Sequence, residues 1–163
     1  MARILITGMS GTGKSTALDL LAARGHRTVD TDSDRWSRWT TRPDGGTDWI
    51  WREQEMTDLL TGPGAGHLFV AGCKSNQGDF YPLFEHVVLL SAPAAVLLAR
   101  VAARTGNPYG QSPAERAEIL DHLAWVEPLL RAGATAEIDA SRPAGDVVAE
   151  LEKLAEVAAR PAG

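Results

Sequence analysis

Residues 8–15 read Gly8-Met9-Ser10-Gly11-Thr12-Gly13-Lys14-Ser15, a complete G-x-x-x-x-G-K-S phosphate-binding loop. A strand-like apolar run, Ile4-Leu5-Ile6, precedes it, and a helix-like run from Ser15 to Ala23 comes after it. That is the context the motif requires. The backbone N–H groups of such a loop curl round a β-phosphate, and the adjoining helix adds the positive end of its dipole. Gly8, Gly11 and Gly13 supply backbone conformations and close approach that a Cβ would forbid. Lys14 is expected to bridge the β- and γ-oxygens. The Ser15 hydroxyl is expected to ligate Mg²⁺, and Thr16 to reach the α-phosphate. A merely tight strand–helix turn has no use for lysine followed by serine, so the loop predicts a site for ATP.

Working outward, 163 residues make one domain, 1–163, large enough for a sheet covered on both faces. Hydrophobic content is 44% and charged content 23%, ordinary for a globular chain. The net charge of −5 argues against a nucleic-acid partner, which needs a basic face. A single cysteine, Cys73, fits a reducing cytoplasm. The first strand begins too early to leave room for a signal peptide, and no apolar run reaches the ~20 residues that cross a bilayer. A cytoplasmic protein without a membrane partner is expected.

Strand-like runs fall at Arg3–Thr7, Arg27–Asp30, His67–Ala71, His86–Ser91 and Ala136–Asp139. Helical patterns separate them: Ser15–Arg24, Trp49–Leu60, Ala94–Arg104, a segment from Ser112 toward Leu130, and a last one from about Ser141 to Ala159. Ser112-Pro113-Ala114-Glu115 is a capping box with proline at the first helical position. The alternation predicts an α/β fold with a mostly parallel sheet, whose ligands bind beyond the carboxyl ends of the strands.

The loops after the strands therefore carry the chemistry. Asp30 and Asp32 flank Thr31 and share a side of the extended chain. Asp30 either orients Mg²⁺ through its water shell, with Asp32 as the base that takes an attacking hydroxyl's proton, or both only cap the next helix. Trp36, Trp39, Trp49 and Trp51 form either an aromatic wall for an acceptor or a satellite core. Arg52 among them anchors the acceptor or pairs on the surface. After the third strand, Gly72 permits close backbone approach, and Lys74, Ser75 and Asn76 offer donors to acceptor or phosphate. Arg100 and Arg104 share a helix face and lead into a lid-like segment, with solvated surface arginines as the alternative. His26, His67, His86 and His122 show no metal spacing and read as structural or surface residues.

These residues together resemble the shikimate kinase-like branch of the nucleoside-monophosphate-kinase-type P-loop proteins, nearly end to end. Asp30-Thr31-Asp32 is similar to that family's D-x-D, and Trp51-Arg52-Glu53-Gln54-Glu55 to its aromatic-Arg-x-x-Glu, whose arginine grips the substrate carboxylate. Only Gly72 matches its run of glycines, and Arg100 falls where an arginine packs on adenine. The resemblance implies a three-layer P-loop NTPase fold, a five-stranded parallel sheet in the order 2-3-1-4-5, a substrate flap at about 33–62, a lid at about 104–113, and a monomer. Where the family's lid reads Arg-Pro-Leu-Leu, this chain has Asn107-Pro108-Tyr109-Gly110, so Arg104 is the lid arginine or there is none. Where the family completes its carboxylate clamp with arginine, this chain has Glu127. If Glu127 faces the acceptor rather than solvent, its charge argues against shikimate and for a neutral or amine-bearing acceptor.

The expected activity is an ATP- and Mg²⁺-dependent phosphotransferase acting on a hydroxyl of a small-molecule acceptor. Lys14, Asp32 and Arg104 are its catalytic residues, and Trp51, Arg52, Gly72, Lys74 and Glu127 join Asp32 at the acceptor. The alternatives are a nucleoside or nucleotide kinase, whose tryptophans would stack on a base, and a non-catalytic nucleotide-binding regulatory ATPase. A regulator has no need of both Asp30 and Asp32.

Overall fold

The computed structural model describes residues 1–105 and 108–160; Asn107 of the expected lid lies outside them. Five parallel strands form the sheet: β1 (Arg3–Thr7), β2 (Arg27–Asp30), β5 (Leu68–Ala71), β6 (His86–Ser91) and β7 (Ala136–Asp139), in the spatial order β2-β5-β1-β6-β7. Counting only these five, that is the expected 2-3-1-4-5. The central strand β1 is buried on both faces, so it reads as a continuous apolar run rather than an alternation. Ile4 and Ile6 face one core, under α1 (Lys14–Ala23) and α6 (Ala144–Ala159). Leu5 faces the other, with Trp51, Met56, Leu60, Phe80 and Phe84. A third cluster, around Met9, Leu89, Leu97 and Leu130, sits under α3 (Ala94–Ala103), α4 (Pro113–Trp125) and α5 (Glu127–Gly133).

The flap region departs from the sequence reading. Trp49 does not begin a helix. Residues Ser37–Thr41 and Thr47–Trp51 form an antiparallel hairpin, β3–β4, and the helix α2 runs only over Glu53–Thr61. Pairing, not burial period, defines the hairpin: Trp39 stands opposite Trp49 and Ser37 opposite Trp51, and burial deepens toward the end of β4, where Ile50 and Trp51 are buried. Beyond β5 a 3₁₀ helix at Gln77–Leu83 replaces what reads as loop. The long helix expected from Ser112 breaks at Val126, and Pro128 lies in the first turn of the new helix, where its missing N–H does no harm.

Two local features have measurable consequences. The capping box forms as read, with Ser112 Oγ accepting from Glu115 N at 3.1 Å. Ser112→Ala should lower stability by about 1 kcal/mol, visible in a urea midpoint. Gly8 has φ 153°, and a Cβ there would stand 2.5 Å from the Leu90 carbonyl oxygen. Gly8→Ala should cost about 1–3 kcal/mol and lower the thermal midpoint; an unchanged midpoint would contradict this packing.

Candidate active site

The parallel register brings three strand ends together. Thr31 N donates to Ala71 O at 3.1 Å and Gly72 N to Ile6 O at 3.1 Å, continuing the ladder past β2, β5 and β1. The phosphate loop, Asp30–Asp32 and Cys73-Lys74 therefore emerge side by side at the carboxyl edge.

The loop is built for an anion. Gly13, in the left-handed region at φ 91°, is the N-cap of α1, which has no side-chain cap and no acidic residue in its first turn. Its leading N–H groups thus lack the partners that most helices supply from within. Thr12 Oγ1 donates to Met9 O at 2.9 Å and ties the loop across itself. Lys14 Nζ donates to Gly8 O at 2.6 Å and Met9 O at 3.2 Å. Burial pushes its ammonium below its ordinary value and Lys74 adds to that. The Cys73 sulfur and the Asp30 and Asp32 carboxylates oppose it. A desolvated cation leaning on two carbonyls, below an uncapped helix start, suits a polyphosphate. Ser15 and Thr16 lie exposed in the first turn of α1, with their hydroxyls available to a metal or phosphate. Arg100 reaches across to Gly11 O at 3.4 Å and to Ala140 O at 2.6 Å, joining the phosphate loop to the loop after β7.

On the acceptor side, Asp30 Oδ1 accepts from Asp32 N at 3.0 Å, so a local turn fixes the pair. Asp32 Oδ1 accepts from Lys74 Nζ at 3.0 Å and from Trp49 Nε1 at 3.1 Å. Burial works against the charged form of Asp32. The Lys74 bond and charge, the Trp49 bond and the Lys14 charge outweigh it and hold the carboxyl below its usual range. Arg52 Nε donates to Asp34 O at 2.8 Å, two residues beyond Asp32. Trp39 packs against Trp49 with ring centroids 5.0 Å apart and planes tilted by 46°, and stays 66% exposed.

Three expected acceptor residues stand elsewhere. Trp51 is fully buried against Phe80 and Phe84; it is core, because the hairpin turns this face onto the sheet. A Cβ on Gly72 would collide with Thr31 Oγ1 and crowd the Trp51 ring, so its glycine serves packing rather than ligand approach. Glu127 is neither solvent-facing nor beside Asp32. It is buried, bonded to Arg131 Nη2 at 2.9 Å, and lines a groove with Ser91, Glu137 and Asp139. That groove lies at the β6–β7 end of the sheet, across β1 from β2 and Asp32. The charge argument against a carboxylate acceptor therefore has no footing. Arg104 is half-buried and donates to Tyr109 O at 2.7 Å.

Trp49 and Gln77 carry geometry that the sequence reading left unassigned. Trp49 had only its place among the tryptophans. Gln77 is buried and has no motif around it. Asn76, instead of facing a ligand, brackets the Trp51 main chain, its Oδ1 accepting from N and its Nδ2 donating to O, both at 3.0 Å.

Among the described residues no group of three His, Cys, Asp or Glu is arranged to hold a metal, and no helix is long and apolar enough to cross a membrane. A family profile described as an AAA domain, AAA_18, matches residues 4–121. Shikimate kinase from Acinetobacter baumannii, in complex with shikimate, is similar with a TM-score of 0.67 at 20% identity, over 99% of this chain and 96% of that one. Shikimate kinase from Bacteroides thetaiotaomicron gives 0.67 at 19%, over 95% and 98%. A gluconokinase from Sinorhizobium meliloti gives 0.53 at 20%, over 96% and 93%. No curated protein matches the chain. The fold is thus the P-loop fold of shikimate kinase-like small-molecule kinases.

Proposed function

The chain belongs to the AAA_18 family, and from that premise we propose that it is a nucleotide-dependent small-molecule kinase, moving the γ-phosphoryl group of ATP to a hydroxyl of a small acceptor. One observation carries the reading: the buried ammonium of Lys14 and the carboxylate of Asp32 meet at the same edge of the sheet, each within electrostatic reach of the other. That pairing suits a reaction in which a phosphoryl group is drawn to one and a hydroxyl proton to the other.

In this reading Gly8–Ser15 and Thr16 bind the triphosphate, and Arg100 covers the base end. The Ser15 hydroxyl and Asp30 would hold Mg²⁺, which when bound would neutralise phosphate charge. Asp32 accepts the proton of the acceptor hydroxyl as that oxygen bonds to phosphorus. The bond from phosphorus to the departing diphosphate breaks, and the diphosphate keeps the electron pair. Arg104, at the root of the lid, steadies the transferring group on closure, and Arg52 with the Trp39–Trp49 pair frames the acceptor. The exposed Trp39 ring offers a hydroxylated acceptor an apolar face to lie against. With Glu127 remote, carboxylate-bearing acceptors belong in the screen.

The test is ADP release from MgATP with a panel of polyols, sugar acids, cyclic hydroxy acids, amino alcohols and nucleosides. One or more non-nucleoside acceptors should stimulate turnover. Stimulation by nucleosides alone would make the chain a nucleoside kinase whose exposed Trp39 stacks on the base. No stimulation by any acceptor, with nucleotide still binding, would leave the regulatory reading.

A further inference from the structure

We propose that Lys74 is a positioning residue: with Trp49 it holds one oxygen of Asp32, Oδ1, so that Oδ2 alone is turned to the acceptor hydroxyl. The proposal rests on the reading above that Asp32 is the base.

Both donors converge on the same atom, Lys74 Nζ at 3.0 Å and Trp49 Nε1 at 3.1 Å. Two donors on one oxygen stop the carboxylate from turning about its last torsion and make its two oxygens unequal. Lys74 is well placed for this and poorly placed to grip an acceptor. Its side chain is 10% exposed, against 71% for Asp32. The carboxylate thus faces the cleft while the ammonium stands behind it.

The lysine is itself held in register with the phosphate loop. Lys74 N donates to Gln77 Oε1 at 2.9 Å, and Gln77 Nε2 donates to Thr7 Oγ1 at 3.1 Å. Thr7 is the residue before Gly8, so a short chain of bonds, Thr7–Gln77–Lys74–Asp32, sets the base relative to the bound phosphates. Trp49 arrives from the opposite side on the hairpin, which Asn76 fixes through the Trp51 main chain. An ångström of misplacement between nucleophile and phosphorus costs about a hundredfold in rate, which gives such a scaffold its purpose. During transfer the hydroxyl proton passes to Asp32 Oδ2, the acceptor oxygen bonds to phosphorus, and the leaving diphosphate takes the electron pair.

Titration calorimetry separates positioning from plain structural support. The probes are MgADP alone and MgADP with fluoroaluminate, which mimics the phosphoryl group in transit with a water in the acceptor's place. The wild-type protein should bind the second probe more tightly. Lys74→Met should lose that gain by about tenfold or more while its MgADP affinity stays within about twofold, and Lys74→Arg should recover most of it. Trp49→Phe should show the same split in smaller measure. The proposal is overturned if Lys74→Met weakens both probes equally or neither, if Lys74→Arg behaves like Lys74→Met, or if the wild type gains nothing from fluoroaluminate. A wild-type protein that binds no MgADP at all overturns the kinase reading instead.

Discussion

Asp32→Asn should slow acceptor phosphorylation by about 10²–10⁴-fold while leaving MgADP affinity nearly unchanged. The asparagine keeps the shape and accepts from Lys74 and Trp49 through its one carbonyl oxygen, but its amide cannot take a proton from the acceptor. The nucleotide side depends on the loop and Lys14, with which Asp32 shares no hydrogen bond; Asp32 acts on that lysine only through its charge, a smaller influence than burial. A loss confined to nucleotide affinity would place Asp32 outside the chemistry. The same carboxyl sets the acid limit of the rate. Lys74, Trp49 and Lys14 hold Asp32 below its usual range against the opposing effect of burial. The base therefore stays ionised through mildly acid solution, and the rate falls only as pH drops through that depressed value. An acid limb above the ordinary aspartate range would contradict the geometry around Oδ1.

Lys14→Met should slow transfer by about 10²–10³-fold and weaken nucleotide binding without unfolding the protein. Loss of one charged donor to a developing phosphate charge is worth about 3–4 kcal/mol in comparable sites. The free protein gives the sign of the stability effect. The ammonium is desolvated, and among the described residues the Gly8 and Met9 carbonyls are its hydrogen-bond partners. Replacing such a charge with an apolar chain of similar length relieves that burial. The thermal midpoint of the ligand-free variant should equal or exceed that of the wild type, while the rise produced by MgATP shrinks. A variant that keeps its MgATP-induced rise would show that this lysine does not hold the phosphates.

The phosphate loop was legible because its chemistry is local: glycines, lysine and serine act at fixed offsets, and the strand before and the helix after them declare themselves. The strands β2, β5, β6 and β7 emerged from the alternation of short apolar runs with helical stretches. The hairpin did not. Ser37–Thr41 and Thr47–Trp51 are rich in Trp, Thr and Ile, which favour strands, and Asp44-Gly45-Gly46 is a turn signal between them, with Gly45 at φ 85°. Trp49, Met56, Leu59 and Leu60 fit a helical count that begins too early, and that count hid the second strand of the hairpin. Trp51 illustrates the cost, since only the register of β4 over the sheet reveals that its ring is core. Glu127 was misplaced for a related reason. A break at Val126 starts α5 and sets Glu127 in its first turn, where the carboxylate pairs with Arg131 one turn on, which in turn holds Glu137 of β7; no residue spacing announces that break. Lys74 and Gln77 lie beyond local reading, because their meaning comes from Asp32 and Thr7, which lie 42 and 70 residues away in the chain.

Phosphorus NMR of MgATP incubated with the protein and whichever hydroxylated acceptor most stimulates ADP release addresses the transfer itself. As the γ resonance disappears, a phosphomonoester resonance should grow in its place, in equal amount to the ADP formed. Inorganic phosphate as the sole product, whatever the acceptor offered, would contradict a kinase and leave a nucleotide hydrolase in its stead.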